Sequence, residues 1–143
     1  MSAYIPQTLR DAVRSRARQR CEYCLSVEWL TGQRHELDHI LPVHLGGIST
    51  LDNLCLACSS CNRHKQTRTT ATDPESGAEV PLFNPRLQRW RDHFTWDAGG
   101  MRIVGLTAIG RATVEALAMN HTLVVVARSF WVSTGQHPTP EDE

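Results

Sequence analysis

The sequence predicts a small α+β protein, and three observations carry that expectation. An apolar stripe of helical period opens the chain. Two short strand-like runs lie between two Cys-x-x-Cys pairs. A second mixture of hairpin and helix patterns fills the C-terminal half. With 143 residues there is room for one ordinary domain, or for a small core with an appendage. Apolar residues make up 41% of the chain, close to the globular norm, which argues against disorder. The longest apolar candidate for a span, Leu123 to Ala127, is far too short for a bilayer, and no apolar core follows Met1 to Ile5 as a secretory signal requires. The expectation is a soluble, cytoplasmic protein with no membrane partner.

The elements follow in chain order. Pro6 to Arg20 reads as a helix, with Pro6 suited to its first position and Leu9, Val13 and Ala17 on one apolar stripe. Gln33 to Ile40 reads as a short strand. Pro42 to Asn53, with Gly46-Gly47, reads as a loop, and Leu54 to Ala57 as a second strand. Ser59 or Ser60 is suited to cap a helix running to about Thr69. Ala71 to Pro85 has the composition of a linker. Beyond it, His93 to Asp97 and Met101 to Leu106 form a hairpin pattern across Ala98-Gly99-Gly100. Thr107 is suited to cap a helix to Met119, and Thr122 to Thr134 has helical spacing. The expected organisation is therefore a helix and core over 1–70, a linker over 71–85, an α+β extension over 86–135 and a flexible tail over 136–143. Phe83, Trp90, Phe94, Trp96, Phe130 and Trp131 are expected to form a second core.

Net charge is zero, but its distribution is uneven. Up to Arg68 there are nine Lys or Arg against six Asp or Glu, and beyond it six against nine. A phosphate-bearing partner would meet the basic half first. Arg10, Arg14 and Arg18 fall on one face of the first helix, either as a solvated face or as a phosphate-contacting arm.

Five cysteines are present, an odd number that argues against a pure disulfide framework. Cys21-x-x-Cys24 and Cys58-x-x-Cys61 make two knuckles with the spacing of a closed tetrahedral Zn²⁺ site. The alternatives are two redox pairs or metal-free buried thiols. In a chain with a limited core, a metal tying the first helix to a later one contributes folding free energy directly. Cys55 has no partner at this spacing and reads as an inert buried thiol.

Between the knuckles lies His35-Glu36-Leu37-Asp38-His39-Ile40-Leu41-Pro42, then Gly46-Gly47, then Asp52-Asn53-Leu54; after the second knuckle comes Asn62-Arg63-His64-Lys65. Asp38 and Asn62 carry hard oxygen donors suited to Mg²⁺. His39 is next to Asp38, and strand neighbours point to opposite faces, so the two serve different partners. A base, a water and a cation are what phosphodiester hydrolysis requires. Lys65 shares a helix face with Asn62 and is expected, with Arg63 and Arg68, to contact phosphate; His64 points elsewhere, and His35 and His44 receive no role.

Taken in order, these motifs from Cys21 to about Arg68 resemble the HNH endonuclease family and its ββα-metal site. The resemblance implies His39 as the general base, Asp38 and Asn62 as holders of a catalytic Mg²⁺ or Mn²⁺, Asn53 as the residue that orients the His39 ring, and Cys21, Cys24, Cys58 and Cys61 as ligands of structural Zn²⁺. Asn62 stands where the family often has histidine, which suits Mg²⁺ or Mn²⁺ better than a soft ion. The implied activity is metal-dependent hydrolysis of DNA, leaving 5′-phosphate and 3′-hydroxyl ends. Low sequence preference is expected, since no dedicated recognition helix is legible. The alternatives are an RNA-directed nuclease of the same family and a non-catalytic zinc module that binds nucleic acid. The part after Pro81, including Leu82-Phe83-Asn84-Pro85-Arg86, resembles short bacterial, often cyanobacterial, HNH proteins and implies no further function.

Overall fold

A computed structural model describes residues 4–139, and the chain divides into two units. The first comprises the residues up to Thr69 together with Asn84–Leu87; the second comprises Thr70–Phe83 and the residues from Gln88 onward. The described residues form helices and three two-stranded antiparallel sheets, an α+β architecture. No helix among them is long and apolar enough to cross a membrane.

In the first unit, α1 (Gln7–Arg16) starts one residue later than expected: Pro6 is its extended N-cap, whose carbonyl accepts the Leu9 and Arg10 N–H groups. Leu9, Val13 and Ala17 face Leu54 and Leu56 and, with Ile5 and Leu37, make this unit's core. The helix stops at Arg16 rather than Arg20, because Arg18 and Gln19 adopt left-handed φ values of 56° and 61°. That reversal brings Arg20 against Val27 and leads the chain into the first knuckle. Arg18 therefore does not continue the row of Arg10 and Arg14. A single turn, α2 (Glu28–Thr31), follows.

Strand β1 (Glu36–His39) pairs with β2 (Leu54–Ala57), placing Asp38 opposite Cys55 and His39 opposite Leu54. Every residue of β2 is buried, which fixes the register. The loop between them contains a 3₁₀ turn at Val43–Leu45. Helix α3 (Ser59–Lys65) is capped by Cys58, whose Sγ accepts the Cys61 N–H at 3.3 Å; neither serine takes that role. It ends at Lys65 rather than near Thr69, since Gln66 has φ 55°. Arg68 then covers its last carbonyls, donating to His64 O at 2.7 Å.

The second unit corrects the linker expectation. Within 71–85 lies most of a hairpin, β3 (Thr70–Thr72) paired with β4 (Glu79–Pro81). The Asp, Pro, Ser and Gly residues that suggested a linker are its turn: the buried Asp73 carboxylate accepts from Ser76 Oγ at 2.7 Å and from Arg111, while Gly77 sits at φ 77°. Next come α4 (Trp90–His93) and the expected hairpin of β5 (Phe94–Asp97) with β6 (Arg102–Gly105). Helix α5 (Ala108–Ala116) is capped by Thr107 as expected, and α6 (Thr122–Ser133) follows.

Phe83, Phe94, Ile103, Leu117, Met119 and Trp131 are buried in this unit. Phe130 is not part of that core, being 66% exposed. The tail expectation also changes. His137 is buried, bonds Gly100 O at 2.9 Å and packs on Trp96 and Trp131, so the chain is anchored there. Residues 140–143 of the expected tail lie outside the described residues.

Candidate active site and metal centre

The two knuckles converge. The Sγ atoms of Cys21, Cys24, Cys58 and Cys61 all lie within 4.8 Å of one another, and Cys24 and Cys58 Sγ are 3.7 Å apart. A tetrahedron with Zn–S bonds of about 2.3 Å has edges of about 3.8 Å, the separation at which the Cys24 and Cys58 sulfurs already stand, so the donor set suits zinc. Each knuckle also carries an N–H···S bond, from Cys24 N to Cys21 at 3.4 Å and from Cys61 N to Cys58 at 3.3 Å. Burial, followed by the neighbouring thiols, pushes the Cys21 thiol well up. The surrounding thiols push Cys61 up and hold Cys24 well down. A cation at the centre of this buried cluster would favour the thiolate form of all four, the form that ligates zinc. Cys55 stands apart from the cluster; burial raises its pKa, so it remains a thiol.

The first knuckle is fastened from two sides. Glu22 N donates to Leu56 O at 2.8 Å, and Glu22 Oε2 accepts Leu56 N at 2.8 Å. Glu22 Oε1 pairs with Arg86. Asn84 accepts the Arg86 N–H at 2.8 Å and so shapes the bend that presents Arg86. Burial, with a smaller contribution from Arg16, pushes the Arg86 pKa down to about 10.

A cleft of about 810 Å³ is lined by Glu36, Asp38, His39 and Asn62, the residue after Cys61, with Arg10, Arg14 and Arg34 on its walls. The strand pleat separates Asp38 from His39 as expected. Asp38 is buried; its Oδ2 accepts the Tyr23 hydroxyl at 2.7 Å and meets Lys65 Nζ at 3.1 Å. Burial, followed by the nearby Cys55 and Asp38, pushes the Tyr23 pKa well up, so the phenol stays a donor. His39 Nε2 lies 2.9 Å from Ser49 Oγ. Asn62 Nδ2 donates to Glu36 Oε1 at 2.6 Å.

Several sequence expectations change here. Lys65 is not a surface phosphate contact: it is 2% exposed, and its ammonium bonds Asp38 and the His39 carbonyl. The helix face shared with Asn62 turns inward at this position, where Asp38 offers the matching charge. Asn53 makes no hydrogen bond to the His39 ring. Its Oδ1 accepts Leu41 N at 2.8 Å, and its Nδ2 donates to Leu41 O and Ile48 O, both at 3.0 Å. The amide closes the loop, and Ser49 meets the ring.

The predicted phosphate contacts are also unequal. Arg14 pairs with Glu28 and donates to His35 O, Arg10 donates to Ile5 O, and Arg68 covers α3, whereas Arg63 is exposed. His35 is buried with Nε2 2.8 Å from Ser26 O, and His64 Nδ1 is 2.7 Å from Ser60 O. Glu36, Arg34, Tyr23 and Ser49 were not singled out from sequence. For Glu36 a signal existed, since it stands two residues before Asp38 on the same strand face. Ser49 had no local signal.

Comparison with curated proteins and with solved structures found no match. The model of the HNH endonuclease family matches residues 21–68, so the stretch from the first knuckle to Arg68 is similar to that family.

Proposed function

We infer that this domain is a metal-dependent endonuclease that hydrolyses DNA phosphodiesters with low sequence preference. The observation that carries the reading is the grouping of His39 with Glu36, Asp38 and Asn62 in one open cleft. His39 is the general base. It takes a proton from water, whose oxygen forms the new bond to phosphorus. The bond to O3′ breaks, O3′ acquires a proton from solvent, and the products end in 5′-phosphate and 3′-hydroxyl.

The oxygen donors suit a hard cation such as Mg²⁺ or Mn²⁺. Asp38 and Asn62 would hold it, and Glu36 joins them because the Asp38 charge is already compensated by Lys65 while Glu36 is exposed beside Asn62. When bound, the cation supplies charge stabilisation for the phosphorane-like transition state and the leaving oxygen. Zn²⁺ at the four cysteines remains structural.

The test is incubation of the purified protein with supercoiled plasmid and, separately, with a single-stranded RNA, each with Mg²⁺, Mn²⁺ or chelator. Metal-dependent nicking of the plasmid is expected. Cleavage of RNA alone would reassign the substrate, and no cleavage of either would make the domain a non-catalytic nucleic-acid-binding module.

A further inference from the structure

The Gly-Gly and Asp-Asn motifs converge on one atom that neither contains, the hydroxyl of Ser49. The loop from Leu41 to Asn53 is closed at both ends by the Asn53 amide, which bonds the N–H and the carbonyl of Leu41. The same amide donates to Ile48 O, fixing the peptide that leads into Ser49. Asn53 N donates to Thr50 O at 3.0 Å, which fixes the chain just beyond it. Gly46 ends the 3₁₀ turn at φ 95°. A Cβ on Gly47 would stand 1.7 Å from Leu41 O and 2.9 Å from Asn53 Nδ2, so a side chain there would force the closure apart. The product of this construction is Ser49 Oγ at 2.9 Å from His39 Nε2. His39 Nδ1 has no partner among the described residues.

An imidazole is a base at only one nitrogen at a time, and the partner of the other nitrogen decides which. We propose that Ser49 is the positioning residue of His39. Its hydroxyl accepts the Nε2–H, holds the neutral ring in the Nε2–H tautomer, and leaves the lone pair on Nδ1 to accept the proton of water. As that proton arrives, Nε2–H remains bonded to Ser49 Oγ and the ring carries the positive charge. The proposal rests on His39 being the base, but it has its own readout.

The tautomer is read from the ring nitrogen shifts of ¹⁵N-labelled protein at about pH 8, where an ordinary imidazole is neutral, with the His39 signals assigned by their loss in His39→Gln. The zinc-loaded wild type is expected to show His39 as the Nε2–H form. Ser49→Ala is expected to mix the two forms and to lower kcat for plasmid nicking by about 10- to 100-fold, the usual worth of a group that orients a functional imidazole, with KM unchanged. Ser49→Thr, which keeps the hydroxyl, should restore the tautomer and most of the turnover. Zinc content and melting temperature identify any variant that fails to fold, and for those Ser49→Gly replaces alanine.

An Nδ1–H form in the wild type overturns the proposal, as does a tautomer and kcat indifferent to Ser49→Ala. If the tautomer responds to Ser49 but His39→Ala still cleaves, the base assignment fails while the hold of Ser49 on the ring stands.

Discussion

Asp38 and Lys65 meet at the buried edge of the cleft, 6% and 2% exposed, and that location governs what each can do. A buried pair is costly to break from one side, because the remaining charge loses its compensation. Lys65→Met is therefore expected to cost about 3–5 kcal/mol in chemical denaturation under saturating zinc, and pairing it with Asp38→Asn should recover much of the loss. His39 is only half-buried and bonded to a loop hydroxyl. His39→Ala should leave zinc content and melting temperature near those of the wild type while cleavage drops by roughly 10²–10⁴-fold, the range for a positioned base. Wild-type cleavage in that variant would point to another base. Glu36→Gln tests the third oxygen donor. Glu36 is exposed, so the fold should persist, and the Mg²⁺ concentration for half-maximal nicking should rise. An unchanged metal requirement would remove Glu36 from the site.

At the scale of elements, the cysteine knuckles and the 70–81 hairpin depend on different chemistry. Cys61→Ser should abolish binding of about one zinc per chain and loosen β1, β2 and α3, read as faster amide exchange in those elements. The hairpin depends instead on Asp73. Arg111 first, then the Ser76 hydroxyl, hold its carboxyl well below the ordinary carboxylate range. A carboxylate with a depressed folded pKa contributes stability in full above its unfolded value, and loses it as pH falls toward the folded value. The melting-temperature gap between wild type and Asp73→Asn should thus be widest near neutrality and narrow below about pH 4. A gap independent of pH would show that the ion pair is not what Asp73 contributes.

The same contrast explains what was legible in the sequence. Cysteine spacing, the alternation around Asp38 and His39, and the Thr107 cap are local signals, and each element they mark is present. The hairpin was hidden because turn and linker draw on the same residues, Asp, Pro, Ser and Gly. The inward turn of Lys65 depends on a carboxylate 27 positions earlier, the meeting of Ser49 with His39 on a loop closed by Asn53, and the clamp of Arg86 on Glu22 on a pairing across 64 positions. No window of sequence contains those pairs.

Over the whole molecule, charge is sorted along the chain: the stretch to Arg68 carries nine basic and six acidic residues, and the remainder the reverse. Net charge alone would suggest no affinity for nucleic acid, but association depends on which cations are free to exchange counterions for phosphate. Many arginines of the first unit are already engaged. Arg14 is bound to Glu28, Arg16 donates to the carbonyls of Leu51 and Leu54, Arg68 covers α3, and Arg86 clamps Glu22. Arg34 and Arg63 are exposed, with no side-chain bond among the described residues, and Arg34 lines the cleft that contains His39. These two, more than Arg10, Arg14 or Arg18, are expected to meet phosphate. Replacing both with glutamine should weaken DNA binding across unrelated sequences and reduce the slope of log affinity against log salt by about 2, roughly one for each phosphate no longer neutralised. Zinc content and melting temperature should not change, since neither side chain is packed. Arg14→Gln should behave in the opposite way, lowering stability by leaving Glu28 without its partner while the salt slope changes little. A double variant that keeps the wild-type slope would move the phosphate path away from this cleft. It would then have to run over cations outside it, and the fall in cleavage in His39→Ala would have to be explained without DNA held by Arg34 and Arg63.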